Sequence, residues 1–559
     1  MLTHVTSFRL TIVCMIMVGC LFVFHYSAYS SAPDILVNTT SDVVDFGGGF
    51  QVADLPGSDG LVSLREAIIA ANNSPGPQVI GFNIPTSDPG FDGTVFTIRP
   101  ISDFSGLPPL SDGGTKIDGA TQTAFTGNTN PAGPEVVLNG DSVVCNGLVI
   151  GSPNNVVHSL VINGFAGCPS PFGSGITISG PQASANIVSG CFVGLDPGGT
   201  AIVANGHGIN TDSGAANNRI GGASSAERNV ISGNLIRGVT LSSDNNFVSG
   251  NFIGTDMTGT VAIGNGEQDG VEVNGAGNLI ERNIISGNRS GVMVTSSGSG
   301  NIVMGNFLGT DVTGTIALGN TSLGAQVQGG VNNLIVGNLI SGNALDGIGF
   351  FAAHNNVARG NRIGTDVNEN LTLGNGRFGI HISNGPDGPG SNGNRVEDNV
   401  IAGNVRAGVA VFAGVRNSIS RNRIFSNGEL GIQLGPDFPG LVPNDPGDFD
   451  TGPNELMNFP VLEEAKATPG QLIVKGTIDT QNVRDVVIEF FANPVPTPGG
   501  DPSGHGEGAI FLGTARPNPQ GKFNAALPRV PVGTIISATA TDAVGNTSEF
   551  AMNIVASFP

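Results

Sequence analysis

Short segments in which apolar and polar residues alternate recur through the middle of the chain, and each segment begins with a glycine. An alternation with a period of two residues is typical of a short strand that buries one face. The pattern therefore predicts a long series of short strands. They begin at Gly175, Gly208, Gly238, Gly270, Gly291, Gly347, Gly379, Gly408 and Gly431.

A second repeated phrase ends in Gly-Asn and gives the length of the repeat. Asn234, Asn288 and Asn343 lie 54 and 55 residues apart. The unit is therefore two unequal coils, one of about 22 residues and one of about 33. Coils of this length, with three short strands and glycine corners, cannot bury an apolar face alone, but they bury a continuous one when they stack. The sequence predicts a parallel β-helix.

The repeated Asn has a structural explanation in such a fold. Asn side chains at the same corner of successive coils can satisfy backbone groups and stack their amides in a ladder. Cys191 occupies the Asn position in one coil. We therefore expect that coil to lack one amide.

The long coils carry an additional module of the form Gly-Thr-Asp-x-Thr-Gly-Thr. Clear copies begin at Gly254 and Gly309, and weaker copies begin at Gly194 and Gly364. Asp followed by Thr and Gly favours bends made by hydrogen bonds from backbone amides to the side chain, so a loop that leaves the coil is expected. Calcium binding is the alternative, although one carboxylate per loop is few for a cation that takes about six to eight oxygens.

The two ends of the repeat region have different patterns. Ser63 to Asn72 combines an apolar face of helical period with a capping box formed by Ser63 and Glu66. It predicts an amphipathic helix that caps the open end of the β-helix. Longer strands from Gln471 onward predict a small β-sandwich. The predicted domains are a signal peptide (1–30), an N-terminal cap with the first coils (31–135), the β-helix repeats (136–435), an acidic linker (436–455) and the sandwich (456–559).

The first 30 residues are typical of a secretory signal peptide. Arg9 is followed by an apolar run from Leu10 to Phe24, which is too short for a membrane span, and we expect cleavage after Ser30. A lipoprotein box at Cys20 is the alternative. The sequence predicts no other segment that crosses a membrane, and it predicts a secreted or cell-surface location.

Cleavage after Ser30 would leave three cysteines and neither Trp nor Tyr. Cys145, Cys168 and Cys191 are spaced by 23 residues, which is one coil. An exported compartment permits a bridge between Cys145 and Cys168 in neighbouring coils. Free, buried cysteines are the alternative.

Composition and charge exclude several classes of protein. The chain has 87 Gly and 34 Pro residues without the Gly-X-Y period of collagen. A formal net charge of −21 repels phosphate backbones and anionic membranes, which argues against a nucleic-acid partner.

The N-terminal segment resembles a motif of a known bacterial group. Leu61 to Ala67, followed by Ala71 and Asn72, resembles the CSLREA motif at the start of exported right-handed parallel β-helix proteins, with Val62 where the motif has Cys. The resemblance implies an all-β protein, a right-handed parallel β-helix solenoid of the pectin lyase-like fold. Asp542 to Phe550 resembles the end of bacterial immunoglobulin-like modules. Such scaffolds carry lyases, hydrolases, epimerases and adhesins, so the resemblance implies no particular activity.

Enzymes on this scaffold work on one exposed strand face. One predicted outward row of that face is Thr177, Asn210, Thr240, Glu272, Met293, Gln326, Gly349, His381, Ala410 and Gln433. The neighbouring row is Ser179, Asp212, Ser242, Asn274, Thr295, Gln328, Phe351, Ser383, Phe412 and Gly435.

These two rows contain few groups suited to catalysis. Asp212 and Glu272 are the best candidates for an acid and a base, two coils or roughly 10 Å apart, with His207 beside them at the coil corner. Neither row contains the Arg that a lyase site would use as a base.

One candidate metal site lies in the acidic linker. Asp445, Asp448, Asp450 and Asn454 place three carboxylates and an amide within ten residues, which suits Ca²⁺. A solvated acidic linker is the alternative. No other cofactor is predicted.

The sequence favours a non-catalytic function. We expect a monomeric, secreted or cell-surface structural or adhesion-type protein that presents loops to an extracellular polysaccharide or surface protein. One alternative is a polysaccharide lyase or glycoside hydrolase. Another is a carbohydrate-binding module, for which Phe351 and Phe412 are the available apolar platform in a chain without Trp or Tyr.

Overall fold

The computed structural model describes residues 32–100, 106–168, 173–266, 268–385, 390–435, 440–493 and 503–559. Residues 33–559 form one compact unit. The predicted signal peptide, its cleavage site at Ser30 and the alternative lipid site at Cys20 lie outside the described residues. In the described part of the chain, no helix is both long and apolar enough to span a bilayer.

Most of the chain winds into coils that contribute strands to three parallel sheets, as the repeat predicts. The strands of sheet 1 are Ile35–Val37, Val79–Phe82, Lys116–Asp118, Val156–His158, Ile187–Ser189, Arg219–Gly221, Phe247–Ser249, Leu279–Glu281, Ile302–Met304, Leu334–Val336, Val357–Arg359, Arg395–Glu397 and Ser418–Ser420. The strands of sheet 2 are Phe96–Ile98, Val136–Asn139, Val161–Asn163, Phe192–Val193, Val230–Ile231, Phe252–Ile253, Ile284–Ile285, Phe307–Leu308, Leu339–Ile340, Arg362–Ile363, Val400–Ala402 and Arg423–Phe425. The strands of sheet 3 are Leu148–Ile150, Ser174–Ser179, His207–Asp212, Val239–Leu241, Val271–Val273, Val292–Val294, Ala325–Gln328, Ile348–Phe351, Ile380–Ser383, Val409–Val411 and Ile432–Leu434.

The inward residues of the three sheets form one continuous apolar core. Val271, Ile280 and Ile285, one from each sheet of a single coil, are fully buried and belong to the same cluster. In the strand of sheet 3, Glu272 lies between two buried residues and is itself partly exposed. The outer side of sheet 2 carries a separate apolar cluster that includes Phe252 and Ile284. The prediction of a parallel β-helix is confirmed.

Asn ladders run along three corners of the coils, where the sequence predicted one. In one ladder the amide of Asn229 donates to Asn251, and Asn251 donates to Asn283, both at 3.0 Å. Asn246 with Asn278 and Asn234 with Asn265 belong to the two other ladders. Cys191 stands at the start of the first ladder, where its backbone N–H donates to Asn229 at 2.9 Å.

Each module of the long coils forms a loop that its own aspartate holds closed. Oδ1 of Asp256 accepts the backbone N–H groups of Thr260 and Val261 at 3.0 Å. Although burial acts to raise the pKa of Asp256, these bonds and one from Thr258 lower it overall. Asp311 is held in the same way. The Asp side chains that were considered as calcium ligands thus hold the loops closed by hydrogen bonds.

The N-terminal helix α1, Leu64–Asn73, has the predicted capping box of Ser63 and Glu66. Its apolar face joins the core beside Ile35 and Ile80 of the first two strands of sheet 1. A second helix, α2, spans Ala120–Thr126, and short 3₁₀ turns cover Val52–Asp54, Pro453–Leu456 and Val483–Asp485.

The C-terminal region contains two antiparallel sheets that share a core and form a β-sandwich. The strands of one sheet are Val461–Ala467, Leu472–Thr477 and Lys522–Leu527, and those of the other are Ile510–Ala515, Val487–Asn493, Ile535–Thr541 and Ile554–Val555. The strand Val461–Ala467 and the short strand Ile554–Val555 were not predicted from the sequence.

The sandwich closes the last coil of the β-helix. Glu549 accepts the backbone N–H of Leu434 at 2.9 Å, and Glu507 accepts the side-chain amide of Asn427, the last Asn of its ladder, at 2.8 Å. Backbone groups that would be left unpaired at the open end therefore find partners in the sandwich.

The sequence left open whether the cysteines form a disulfide or are free, and the structure shows both states. Cys145 and Cys168 form a disulfide with their Cα atoms 5.0 Å apart. Cys191 is free and fully buried, and burial raises the pKa of its thiol to about 12.

Candidate functional site

The outer face of sheet 3 carries the two rows of side chains that the sequence predicts. Asn210 pairs in register with Thr177 and Thr240, and Glu272 pairs with Thr240 and Met293. The same register continues to the last strand of the sheet. The predicted order of the outward residues is therefore confirmed.

A third row, which the sequence analysis missed, lies beside these two. It consists of the residues that directly precede the recurring glycines, and their backbone carbonyls accept the glycine N–H of the preceding coil. The row is Ser174, His207, Arg237, Asp269, Ser290, Leu323, Asp346, Phe378, Ala407 and Leu430.

This row corrects the prediction that the face lacks Arg and has only two carboxylates. Arg237, Asp269 and Asp346 all belong to it. The signal was present in the sequence as a recurring position, but the residue before each glycine lies at the corner of the coil. The alternation of inward and outward residues is interrupted there and does not predict where the side chain points.

Glu272 is held by groups from its own and the preceding coil. Its Oε2 lies 2.7 Å from Nη2 of Arg237, and both side chains are partly exposed. Its Oε1 accepts a hydrogen bond from Nδ2 of Asn274 at 3.0 Å. The guanidinium and the amide together hold the carboxyl group in place on the outer face of sheet 3.

Asp269 lies three residues before Glu272 and is only 3% exposed. Burial raises the pKa of Asp269, and the negative charge of Glu272 adds to this increase. Among the described residues, its Oδ1 has no hydrogen-bond partner. The site therefore holds a buried carboxyl group with a raised pKa, and near it a partly exposed carboxyl group that is paired with Arg237.

His207 lies one coil before Arg237 in the third row. Burial and the charge of Arg237 lower its pKa, whereas Glu272 acts to raise it. Its Nδ1 is buried and finds no partner in the described part of the chain. The imidazole is therefore neutral at neutral pH and has one ring nitrogen without a protein partner.

Asp212, the other carboxylate that the sequence singled out, stands apart from this group. It lies two coils before Glu272, roughly 10 Å along the axis of the β-helix. Its Oδ2 accepts a hydrogen bond from Asn210 at 3.2 Å. The structure thus brings Glu272 together with Arg237 and Asp269. His207 lies in the same strand as Asp212, but at its other end, where the charges of Arg237 and Glu272 act on the imidazole. We call Arg237, Asp269, Glu272 and His207 the carboxylate cluster.

The predicted metal ligands of residues 436–455 separate into two groups. Ligand atoms of Asp445, Asp448 and Asp450 lie within 4.8 Å of one another. The side chain of Asn454, the fourth predicted ligand, forms hydrogen bonds with the β-helix. Its side chain is fully buried, accepts the backbone N–H of Asn417 at 3.0 Å and so extends an Asn ladder of the β-helix.

Comparison with family models gives a match to part of the repeat region. The family model "Right handed beta helix region" matches residues 269–437. No curated protein sequence matches the chain.

Several solved structures are similar to the chain at low identity. The A-module of the mannuronan C-5 epimerase AlgE4 from Azotobacter vinelandii is 14% identical, with 72% of this chain and 100% of that chain covered and a TM-score of 0.42. DFA-IIIase from Arthrobacter chlorophenolicus without its lid is 15% identical over 72% of this chain and 92% of that chain, with a TM-score of 0.35. The periplasmic alginate epimerase AlgG is 14% identical over 68% and 80%, with a TM-score of 0.26. At these levels, the role of each residue in this chain has to be inferred from its own surroundings.

Proposed function

We propose that this protein is an exported glycoside hydrolase that cleaves an extracellular polysaccharide on the outer face of sheet 3. The observation that carries the proposal is the pairing of Glu272 with Arg237 at 2.7 Å beside the buried Asp269. The proposal replaces the non-catalytic function that the sequence alone favoured, because the third row adds charged groups that the first two rows lack.

Glycosidic bonds are hydrolysed by two carboxyl groups with different tasks. One donates a proton to the leaving oxygen, and the other acts as an ionised base or nucleophile. The surroundings of two neighbouring carboxyl groups assign these roles. Asp269, whose pKa is raised by burial, takes the role of the acid, and Glu272, which forms the ion pair with Arg237, takes the other role. A ring nitrogen of His207 accepts a hydrogen bond from a hydroxyl of the sugar.

The test is the release of reducing ends from pectin, alginate and xylan by the protein cleaved after Ser30. We expect turnover of one of them, and we expect Glu272→Gln and Asp269→Asn each to lower it by on the order of 10² or more. Glu281→Gln is the matched control, since Glu281 belongs to the same coil but lies in sheet 1. Asp212→Asn should change turnover much less than either cluster variant.

Three outcomes would contradict the proposal. Turnover that survives Glu272→Gln would place the chemistry elsewhere on the face. Absence of turnover on every polysaccharide would favour the non-catalytic surface protein instead. An unsaturated product with strong ultraviolet absorbance would identify the lyase, because only β-elimination creates the double bond.

Export is part of the same proposal. A disulfide between Cys145 and Cys168 supports it, because structural disulfides persist in oxidising compartments. The likeness of Leu61–Ala67 to the CSLREA motif and the apolar run before Phe24 support it independently. We also propose that the C-terminal sandwich is immunoglobulin-like, on the basis of its two facing antiparallel sheets and the turn after Asp542.

A further inference from the structure

A second group of side chains on sheet 3 lies beyond the carboxylate cluster and takes no part in the proposed reaction. Asp346 belongs to the third row, and His381 lies one coil later in the first. Nδ1 of His381 is 3.2 Å from Oδ2 of Asp346. The other oxygen of Asp346 accepts the backbone N–H of Phe378 at 3.2 Å and lies 3.4 Å from Nε of Arg377.

This arrangement fixes the tautomer of the histidine. Because a carboxylate only accepts hydrogen bonds, the proton of a neutral imidazole lies on Nδ1, and Nε2 keeps a free lone pair. Nε2 is buried and has no hydrogen-bond partner among the residues that the structure describes. His381 as a whole is 8% exposed. A buried acceptor without a partner is uncommon and points to a donor from outside the chain.

Three phenylalanines surround the imidazole. The ring centroids of Phe351, Phe378 and Phe412 lie 5.2, 5.1 and 4.9 Å from that of His381. Phe378 is buried, whereas Phe351 and Phe412 are half-buried and present part of their rings outward. We call His381 and these three rings the aromatic cage.

The strand register explains why the rings can reach His381. Its neighbours in the first row are Gly349 and Ala410, which leave space on both sides. A Cβ atom on Gly349 would lie 2.5 Å from Cε2 of Phe351, so the phenyl ring occupies the place of the missing side chain. The cage therefore depends on a small residue in each adjacent coil.

We propose that the aromatic cage is a sugar-binding subsite, in which a pyranose ring stacks on Phe351 and Phe412 and one of its hydroxyls donates to Nε2 of His381. The apolar C–H face of a sugar suits a phenyl ring, and its hydroxyls supply the donor that Nε2 lacks. Because Nε2 is covered, entry of the sugar requires one of the half-buried rings to turn outward.

The subsite is aligned with the carboxylate cluster. His381 lies in the same row as Glu272, four coils later, which corresponds to roughly 19 Å along the β-helix. An extended glycan lying along the rows would therefore contact both sites. The inference rests on the proposed function only for the class of ligand, since the cage could bind a glycan that the protein does not cleave.

Binding of two hexasaccharides, xylohexaose and hexamannuronate, tests the subsite with a neutral and an acidic probe. Calorimetric titration should detect binding of at least one of them, and Phe412→Ala or Phe351→Ala should weaken it at least ~tenfold. Phe558→Ala is the matched control, because Phe558 is 74% exposed and lies outside the cage. Circular dichroism would verify that each variant keeps its β structure.

A second measurement uses the unaltered protein. With ¹⁵N at histidine only, the Nε2 signal of His381, assigned with His381→Gln, should shift when the bound hexasaccharide is added. An unchanged Nε2 signal, or unchanged binding in both Phe variants, would overturn the subsite, as would the failure of both probes to bind.

The subsite and the proposed function can fail separately. Polysaccharide turnover that is reduced by Glu272→Gln, together with unaltered binding in the cage variants, would leave the hydrolase standing without the subsite. Cage-dependent binding without turnover would leave the subsite standing and would make the protein a glycan-binding module.

Discussion

Arg237 holds the side chain of Glu272 in a defined position on the outer face of sheet 3. The ion pair crosses one coil, so the carboxylate is fixed between the first and third rows. The sequence allowed Glu272 to be assigned to its row, because the alternation of the strand holds there. It did not allow Arg237 to be assigned, because the pattern ends at the glycine corner. The sequence therefore predicted Glu272 as a site residue but not the Arg237 that pairs with it.

The acid role of Asp269 makes a prediction about pH. The positive charge of Arg289 lowers the pKa of Asp269 and so acts against the increase caused by burial. Arg289→Gln removes that charge, and the pKa of Asp269 should rise further. Since the acid must carry its proton, the alkaline limb of the kcat profile should move to higher pH.

The measurement is kcat against pH on whichever polysaccharide is turned over. Arg282 directly follows the strand Leu279–Glu281 of sheet 1. The control variant Arg282→Gln should therefore leave the alkaline limb in place. A limb that moves to lower pH after Arg289→Gln would show that the titrating group is not Asp269.

At the scale of the coil, the Asn ladders connect each coil to its neighbours by hydrogen bonds. Many of the side-chain amides donate both to a carbonyl of the preceding coil and to an Asn of the next, as Asn229 does with Val188 and Asn251. The repeat period predicted one ladder. The other two ladders were not predicted. The Gly-Asn phrases of the long and the short coils look alike in sequence, although their Asn residues lie at different corners.

Cys191 offers a test of the ladder. Its Sγ lies 4.0 Å from the carbonyl oxygen of Val157, the position that matches Val188 one coil earlier. In Cys191→Asn, the new amide should donate to Val157 and Asn229, and the free energy of unfolding should increase by about 1 kcal/mol. Cys191→Ala, which adds no amide, should give no such gain in denaturant titration. An Asn variant less stable than the Ala variant would contradict the ladder geometry.

The calcium site predicted at Asp445, Asp448, Asp450 and Asn454 stays a prediction, and the structure places the three carboxylates close together. Burial and the charge of Asp445 raise the pKa of Asp448. Burial and the charges of Asp445 and Asp448 raise the pKa of Asp450. A bound Ca²⁺ would relieve this repulsion, so added Ca²⁺ should raise the Tm at neutral pH and chelation should reverse the increase.

Asp448→Asn should abolish the response to Ca²⁺, whereas Asp485→Asn, at an exposed position of the sandwich, should retain it. Lower pH should weaken the response, because carboxyls with raised pKa values take up protons first and compete with the ion. If added Ca²⁺ leaves the Tm of the parent protein unchanged, the alternative of a solvated acidic linker is correct.

For the molecule as a whole, the sandwich is the C-terminal cap of the β-helix. Glu489 accepts the backbone N–H of Arg421 at 2.8 Å, and Thr547 accepts that of Ile419 at 2.9 Å, so the sandwich supplies acceptors where the next coil would. The sequence predicted most strands of the sandwich but not this junction. Its partners are separated by up to 130 residues, and no local pattern relates them.

The junction should make the two parts unfold together. Glu549 bridges them by accepting the backbone N–H groups of Leu434 and Val442, both at 2.9 Å. Glu549→Ala leaves these buried donors without an acceptor, so the free energy of unfolding should fall by about 2–4 kcal/mol. Calorimetry of the parent should show one transition, and the variant should shift that transition or split it in two. Glu464→Ala, which removes an exposed ion pair with Lys475, should change stability by no more than about 0.5 kcal/mol. Two separate transitions in the parent, with Glu549→Ala affecting neither, would mean that the sandwich is attached to the β-helix without stabilising it.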